Sequence, residues 1–358
     1  MKKSPVSLRP PVPPESLKGR VRFPLVVVLG TPAEVTNLLV HEPKGETVCY
    51  QMDLHQADRL GQSLREAGVE AKVTCLPDLW DLPGGFQTAV FFPSRGGERD
   101  LQIDMVEQGF QLLPAGGQFL VWSSLANDLY FPGLLKKVFK KSHTHLEGET
   151  TLLWSQKNSE HPRRRHEVNI RCKVNRGEPA HFLSRPGTFS YGQFDQGSRA
   201  LCEAMSLRAG QKVIDLGCGW GGAGVFAWKK VGPSGHITFV DSNVRAVELA
   251  RFNAEANGVA NFAAVARGNL EGFLPRSFDI ALAKPPYFAN HALARLFIER
   301  ARELIKADGS FFLVTQQSIE MVEIMSEVGF DVEGAETRGH TVLMHRGLAA
   351  RQDMQVAQ

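Results

Sequence analysis

The run Val213-Ile214-Asp215-Leu216-Gly217-Cys218-Gly219-Trp220-Gly221-Gly222 carries a short apolar β-branched stretch straight into a glycine loop. Val213, Ile214 and Leu216 read as a buried strand. The glycines remove the Cβ atoms that would hold a ligand away from the backbone. A helix is predicted over 223–230, with its first amides facing the loop and favouring a carboxylate or phosphate. A second strand, 236–240, then ends at Asp241, 24 residues beyond Gly217. Nucleotide-binding α/β folds place an acid for ribose hydroxyls at about that point. This order of strand, loop, helix and strand constrains the region to a parallel α/β sheet.

The glycines alone do not select the ligand, because Gly217, Gly219 and Gly222 also satisfy the G-x-G-x-x-G spacing of dinucleotide enzymes. Two neighbours favour another ligand class. Asp215 stands just ahead of the loop, an acid suited to a ligand that carries an ammonium group. After a further predicted strand, 278–283, comes Lys284-Pro285-Pro286-Tyr287. Prolines at a strand end fix the backbone and leave their carbonyls free, and an aromatic follows that can stack on a flat substrate.

Together these segments resemble a class I S-adenosylmethionine methyltransferase over residues 184–345, and more narrowly the ribosomal RNA guanine-N2 methyltransferases. The resemblance rests on Pro186-Gly187-Thr188-Phe189-Ser190, Asp195-Gln196-Gly197-Ser198, the Asp215–Gly221 loop, Asp241, Gly268-Asn269 and the Pro-Pro-Tyr segment. It implies S-adenosyl-L-methionine as cofactor. Gly217, Gly219 and Gly221 with Asp215 would serve its methionine part, Asp241 the ribose and Asn269 the adenine, while Phe189 and Asp195 would close over it. Lys284, Pro285, Pro286 and Tyr287 would form the catalytic segment. Tyr287 and Phe288 would stack on a base turned out of its helix, since a stacked base cannot present its edge to a methyl donor.

One position departs from the family pattern. The family begins the Pro-Pro-aromatic segment with Asn or Asp, whose oxygen accepts from the amine to be methylated. This chain has Lys284, and a protonated lysine has three donors and no acceptor. Either the Pro285 carbonyl alone orients the amine, or burial lowers the lysine pKa until it accepts, or the target is not an exocyclic amine, or activity is lost.

The first half repeats the second. A shift of 192 residues carries Phe86 onto Phe278, Pro93 onto Pro285, Glu107 onto Glu299, Leu112 onto Leu304, Gly117 onto Gly309 and Phe119 onto Phe311 without a gap. Helical spacing places Leu293, Phe297, Ala301 and Leu304 on one face, echoed by Leu101, Met105 and Leu112. The chemistry is missing from the first copy. Gly30-Thr31-Pro32-Ala33-Glu34 follows its first strand, Gln51 stands about where Asp241 would, and Phe92-Pro93-Ser94 replaces the Pro-Pro-Tyr segment. The expected architecture is α/β, with two tandem Rossmann-like methyltransferase domains of which the first is degenerate, as in the guanine-N2 family. The expected boundaries are a disordered tail 1–20, a degenerate domain 21–156, a basic linker 157–172, a catalytic domain 173–346 and a tail 347–358.

A length of 358 residues suits two such domains. Neither a signal peptide nor an apolar run of membrane-spanning length is read, so a cytoplasmic protein without membrane contact is expected. Five cysteines without C-x-x-C pairing argue against a disulfide framework or zinc site, and no metal is expected. Cys218 reads as a small residue in a crowded turn and not as a nucleophile. Net charge is only +3, but Lys136-Lys137, Lys140-Lys141 and Arg163-Arg164-Arg165-His166 cluster. These are candidates to contact the phosphates of ribosomal RNA or a ribosomal subunit, or else plain solvated charge.

The activity this reading implies is direct methyl displacement onto guanine N2 of ribosomal RNA. Methylation of another nucleic-acid atom or of a protein amide shares the same geometry. A nicotinamide oxidoreductase fits the glycines alone. An inactive cofactor-binding RNA-binding or assembly protein fits Lys284.

Overall fold

The computed structural model describes residues 15–17, 19–42, 44–94, 97–285 and 291–347. Pro286, Tyr287 and Phe288 lie outside the described residues. The chain divides after His166 into two units.

In the first unit, chain order gives β1 (Leu25–Leu29), α1 (Pro32–His41), β2 (Thr47–Gln51), α2 (Leu54–Glu66), β3 (Lys72–Cys75), β4 (Thr88–Phe92) and α3 (Arg99–Leu112). They are followed by β5 (Gln118–Ser123), α4 (Phe131–Phe139), β6 (His143–Glu147) and β7 (Thr150–Gln156). The strands pair in the order β3-β2-β1-β4-β5-β7-β6. Strand β1 is Leu-Val-Val-Val-Leu because both sheet faces are covered. Val26 and Val28 pack with Tyr50 and Phe91 on one side, and Leu25 and Val27 with Cys49 and Val90 on the other. Each such fully buried aliphatic side chain contributes roughly 1.5–3 kcal/mol. Local signals start the helices. Thr31 and Glu34 form a capping box at α1, and Asp53 caps α2.

The second unit adds an antiparallel pair, β8 (Val168–Cys172) and β9 (Ala180–Ser184), before α5 (Gln196–Ala204). Its main sheet comes from β10 (Lys212–Leu216), α6 (Gly222–Val231), β11 (His236–Asp241), α7 (Val244–Ala256), β12 (Phe262–Ala266), β13 (Phe278–Ala283) and α8 (His291–Leu304). It closes with β14 (Ile305–Thr315), α9 (Ser318–Glu327), β15 (Glu333–Thr337) and β16 (His340–His345). The order β12-β11-β10-β13-β14-β16-β15 repeats the first sheet strand for strand. Two apolar layers again cover the faces, with Val213 and Ile280 in one and Ile214, Leu216 and Ala281 in the other.

The 192-residue shift survives at the level of single residues. It carries α3 onto α8 end to end, and the pairing Thr88↔Gln118 onto Ile280↔Ser310. Because Val28 pairs with Phe91 as Leu216 pairs with Ala283, Leu29 stands in the place of Gly217 and Phe92 in the place of Lys284. Leu29 keeps the left-handed bend of that place, at φ 56° against 71° for Gly217. The two units therefore share one Rossmann-like α/β fold, the first without the loop glycine and the acid of the second.

Two stretches differ from the sequence reading. Residues 15–17, 19 and 20 were expected in a disordered tail, yet Glu15–Leu17 form a 3-10 turn with Leu17 fully buried. Ser16 donates to Glu147, and the Arg20 guanidinium lies 3.8 Å from the centre of the Trp154 ring. Leu17 joins the apolar layer of Leu25, Val27, Val35 and Leu38 on one face of the sheet. The 157–172 stretch is no free tether either. Lys157 donates to the Leu113 carbonyl at 2.7 Å, Arg163 stacks on Trp80, Arg165 pairs with buried Asp78, and Val168–Cys172 is strand β8.

Candidate functional site

The site begins where β10 ends. Gly217 and Cys218 donate backbone hydrogen bonds to the Val240 carbonyl at 2.8 and 2.9 Å, which folds the loop back over β11. The Asp241 carboxylate then accepts from Gly219 N at 2.8 Å and from Asn243 N at 2.9 Å. Two glycines, one in this loop and one in the first turn of α6, have opposite reasons to be glycine. A Cβ on Gly224 would come within 2.3 Å of the Phe239 ring, so that position is set by helix-on-strand packing. Gly219, at φ +53°, would meet nothing within 4 Å. That side of Gly219 faces open space, and its amide is bonded to the Asp241 carboxylate.

Asp215 lies beneath the loop. It is 3% exposed, accepts from Gly224 N at 2.9 Å, and burial pushes its carboxyl up to about 7. That bond makes it a buried support of the helix start. Cys218 is also buried, and burial pushes its thiol well above the ordinary range, which suits a packing residue.

A second wall comes from the chain before α5. Asp195 caps α5 by accepting from Gly197 N at 3.0 Å and Ser198 N at 3.2 Å, and it forms an ion pair with Lys284 at the end of β13. The Lys284 ammonium also lies 4.2 Å from the centre of the Phe189 ring, which is half exposed. Burial draws the lysine below its usual range against the opposing pull of Asp195. Burial alone would raise the Asp195 carboxyl, but the Lys284 charge and hydrogen bonds hold it below the usual carboxylate range. Pro285 is buried directly after Lys284. The structure thus brings Gly219 and Asp241 together, and separately Phe189, Asp195 and Lys284. Asn269 sits on the exposed loop after β12, where its side chain accepts from Glu271 N.

Three residues that position this wall were not read from the sequence. Arg245 is fully buried, and its Nη1 donates to the Pro186 carbonyl at 2.6 Å. Asn243 caps α7 and donates to the Gly187 carbonyl at 2.7 Å. Asn253 donates to the carbonyls of Leu183 and Trp220, tying β9 to the glycine loop. A lone arginine and asparagine on an otherwise apolar helical face are the only signal they leave in the sequence, since buried polar groups require partners.

In the first unit Arg163, Arg165 and His166 contact Trp80, Asp78 and Glu107, and Arg163, Arg164 and Arg165 remain exposed, as do Lys136, Lys137, Lys140 and Lys141 at the end of α4. Among the described residues no group of three or more His, Cys, Asp or Glu is placed to hold a metal, and no helix is long and apolar enough to cross a membrane.

The family model described as "Methyltransferase small domain" matches residues 179–344. The chain is 31% identical over 140 residues to the ribosomal RNA small subunit methyltransferase C of Stutzerimonas stutzeri, covering 38% of this chain and 41% of that protein. It is 31% identical over 142 residues to the uncharacterized protein YbxB of Bacillus subtilis, covering 38% of this chain and 68% of that one. The match thus spans less than half the length of the small-subunit methyltransferase. Among solved structures, a T. thermophilus 16S rRNA N2 methyltransferase in complex with AdoMet and guanosine aligns with a TM-score of 0.73 at 20% identity. That alignment covers 90% of this chain and 88% of the other, a likeness of fold.

Proposed function

We propose, for a chain that through residues 179–344 belongs to the methyltransferase small domain family, that it methylates guanine N2 of ribosomal RNA with S-adenosyl-L-methionine as donor. The observation that carries this reading is the open side of Gly219 with Asp241 bonded across it. This donor set suits a nucleoside that bears a cation. Asp241 is a carboxylate for two ribose hydroxyls, and Gly219 leaves room for a chain to cross the backbone. When bound, the cofactor supplies an electrophilic methyl group on a sulfonium.

The chain's own residues then bind, orient and exclude water. Asp195, Lys284 and Phe189 form a wall on the β13 side, where the relatives' pattern implies that the acceptor base enters. The buried Pro285 fixes the strand end and offers its carbonyl to the incoming amine. Asn269 would face the adenine, and Tyr287 would stack on the base. The exposed lysines at the end of α4 supply sequence-independent phosphate contact. Such a substrate places the protein in the cytoplasm.

Full-length protein incubated with labelled S-adenosylmethionine and small- or large-subunit RNA, free or in subunits, should yield N2-methylguanosine on digestion. Label in protein, or in a different nucleoside, overturns the reading. Lys284 favours one other outcome, a chain that binds the cofactor and RNA without turnover.

A further inference from the structure

We infer that the turn joining β8 to β9 is a phosphate-contacting surface, one that takes the RNA strand flanking the target base. The inference rests on the RNA-substrate reading above. The two strands form an amphipathic ribbon. Ile170, Cys172, Ala180 and Phe182 face the core, while Asn169, Arg171 and His181 alternate with them on the solvent side. Lys173 and Arg176 continue the exposed row into the turn. Two more cations come to it from neighbouring helices. Arg199 of α5 donates to the Lys173 carbonyl, and Lys229 of α6 donates to the carbonyls of Glu178 and Pro179 at 3.2 and 2.9 Å.

Five cations thus gather on one turn, and their charge is not cancelled locally. Among the described residues none of the five pairs with a carboxylate, and the side chains of Arg171, Lys173 and Arg176 have no hydrogen-bond partner. Arg199 and Lys229 donate to backbone carbonyls, which fastens the turn and leaves each positive charge in place. The acids of the region are Glu167 and Glu178, exposed on the ribbon, and Glu255, exposed on α7. The others are occupied, Asp195 with Lys284, Glu203 with Arg338 and Glu248 with Arg185. Burial pushes the Cys172 thiol up to about 11, and the charges of Arg199 and Lys229 act against that rise. Both are therefore felt at β8.

The position suits the strand beside a methylation target. Asp195 of the acceptor wall caps α5, and Arg199 stands one helical turn further, about 6 Å along the axis. At its other end β9 leads directly into Pro186 and Phe189 of the same wall. An RNA strand whose base lies at the wall can reach the turn within a few nucleotides. Ammonium and guanidinium groups on such a ribbon meet phosphate oxygens without reading a base. The outward row of Asn169, Arg171, Lys173 and His181 is polar, which suits a phosphate backbone better than an acidic protein segment that needs apolar anchors.

The test uses the full chain and a small-subunit RNA transcript. The variant combines Arg171→Gln, Lys173→Gln and Arg176→Gln, and Arg276→Gln, an exposed charge just before β13, is the control. In filter binding across a salt series, the slope of log K against log salt should be shallower by about 2–3 for the triple variant and unchanged for the control. Arg171→Gln alone should give about a third of that difference. The triple variant should raise KM for RNA about 10-fold, with kcat, S-adenosylhomocysteine binding and melting temperature at wild-type values. An unchanged slope in the triple variant, an equal drop in the control, or a loss confined to kcat or to S-adenosylhomocysteine binding overturns the proposal while the methylation reading stands. A wild type that loses RNA affinity with the three cations yet methylates no RNA overturns that reading and leaves the surface. A wild type that binds no RNA overturns both.

Discussion

The two units share one sheet order and one register, and they part company within a few ångströms of the first loop. Where the second unit has Gly217, the first keeps the left-handed bend but has Leu29. Where the Asp241 carboxylate accepts from a loop amide, Gln51 in the first unit turns the bond around and donates to the Gly30 carbonyl at 3.1 Å. Where Lys284 faces Phe189 and Asp195, Phe92 is buried against Trp122, with ring centres 5.3 Å apart, and lies 3.0 Å from the point a Cβ on Gly30 would occupy. In the first unit the corresponding place is filled by apolar side chains on a sheet of the same order. Scaffold and site are thus physically separable. Strand register depends on a period-2 pattern over dozens of residues, the site on a handful of side chains at strand ends.

The sharpest way to break this contrast is to fill the open face. Gly219→Val should weaken S-adenosylhomocysteine binding about 100-fold or more in calorimetry, while the left-handed backbone costs the fold about 1–2 kcal/mol. Gly30→Val should do the reverse, lowering the melting temperature through its collision with Phe92 and leaving the binding constant alone. A Gly219→Val chain that binds normally would remove the basis for calling that face a site.

Emptying the first unit comes next. Phe92→Ala should destabilise by about 3–5 kcal/mol in denaturant titration, with ligand stoichiometry staying at one. A second binding event would show that one ring is all that separates the units.

Asp215→Asn gives a smaller effect with a defined sign. Burial raises this carboxyl to about 7, so the folded state binds a proton more tightly than the unfolded chain, and stability falls as pH rises between about 4 and about 7. The variant keeps an acceptor for Gly224 N and should be more stable than the parent by on the order of 2 kcal/mol at pH 8. The gain should vanish near pH 4, as read by thermal melts. An advantage independent of pH would mean that the carboxylate is not the source.

The smallest effect concerns the segment before the second unit. His166 Nε2 lies 2.9 Å from the buried Glu107 carboxylate, and that bond raises its pKa. The stabilisation is complete below the unfolded value of a histidine and disappears as pH rises through the folded one. His166→Gln should cost about 1 kcal/mol at pH 6 and less at pH 8, seen as faster amide exchange in residues 158–166. Equal loss at both pH values would assign the effect to packing.

Much of the fold was legible in advance, because strands covered on both faces announce themselves as apolar runs and the repeat from Phe86 to Phe119 needed no gap. Helix α3, for instance, maps onto α8 at both ends. The loop glycines, Asp241 and the Gln51 replacement were also readable, since each stands next to a strand end that the pattern locates. What could not be read were pairings set by topology. Lys284 meets Asp195 across 89 positions, Asn253 reaches Leu183 across 70, and His340 meets them from the far hairpin. Arg163 and Arg165 stood open between phosphate contact and plain solvated charge, and nothing local shows that Trp80 and Asp78 will be there to meet them.

The Arg245 clamp on Pro186 has a consequence for the order of assembly. Its two ends are 59 positions apart, so the loop between them must be closed before the contact can form. A chain emerging from synthesis reaches residue 186 well before residue 245, and the clamp waits until α7 has been made and has docked. The segment around Pro186 is therefore fixed only after α7 is in place, and a product truncated ahead of α7 would lack that clamp.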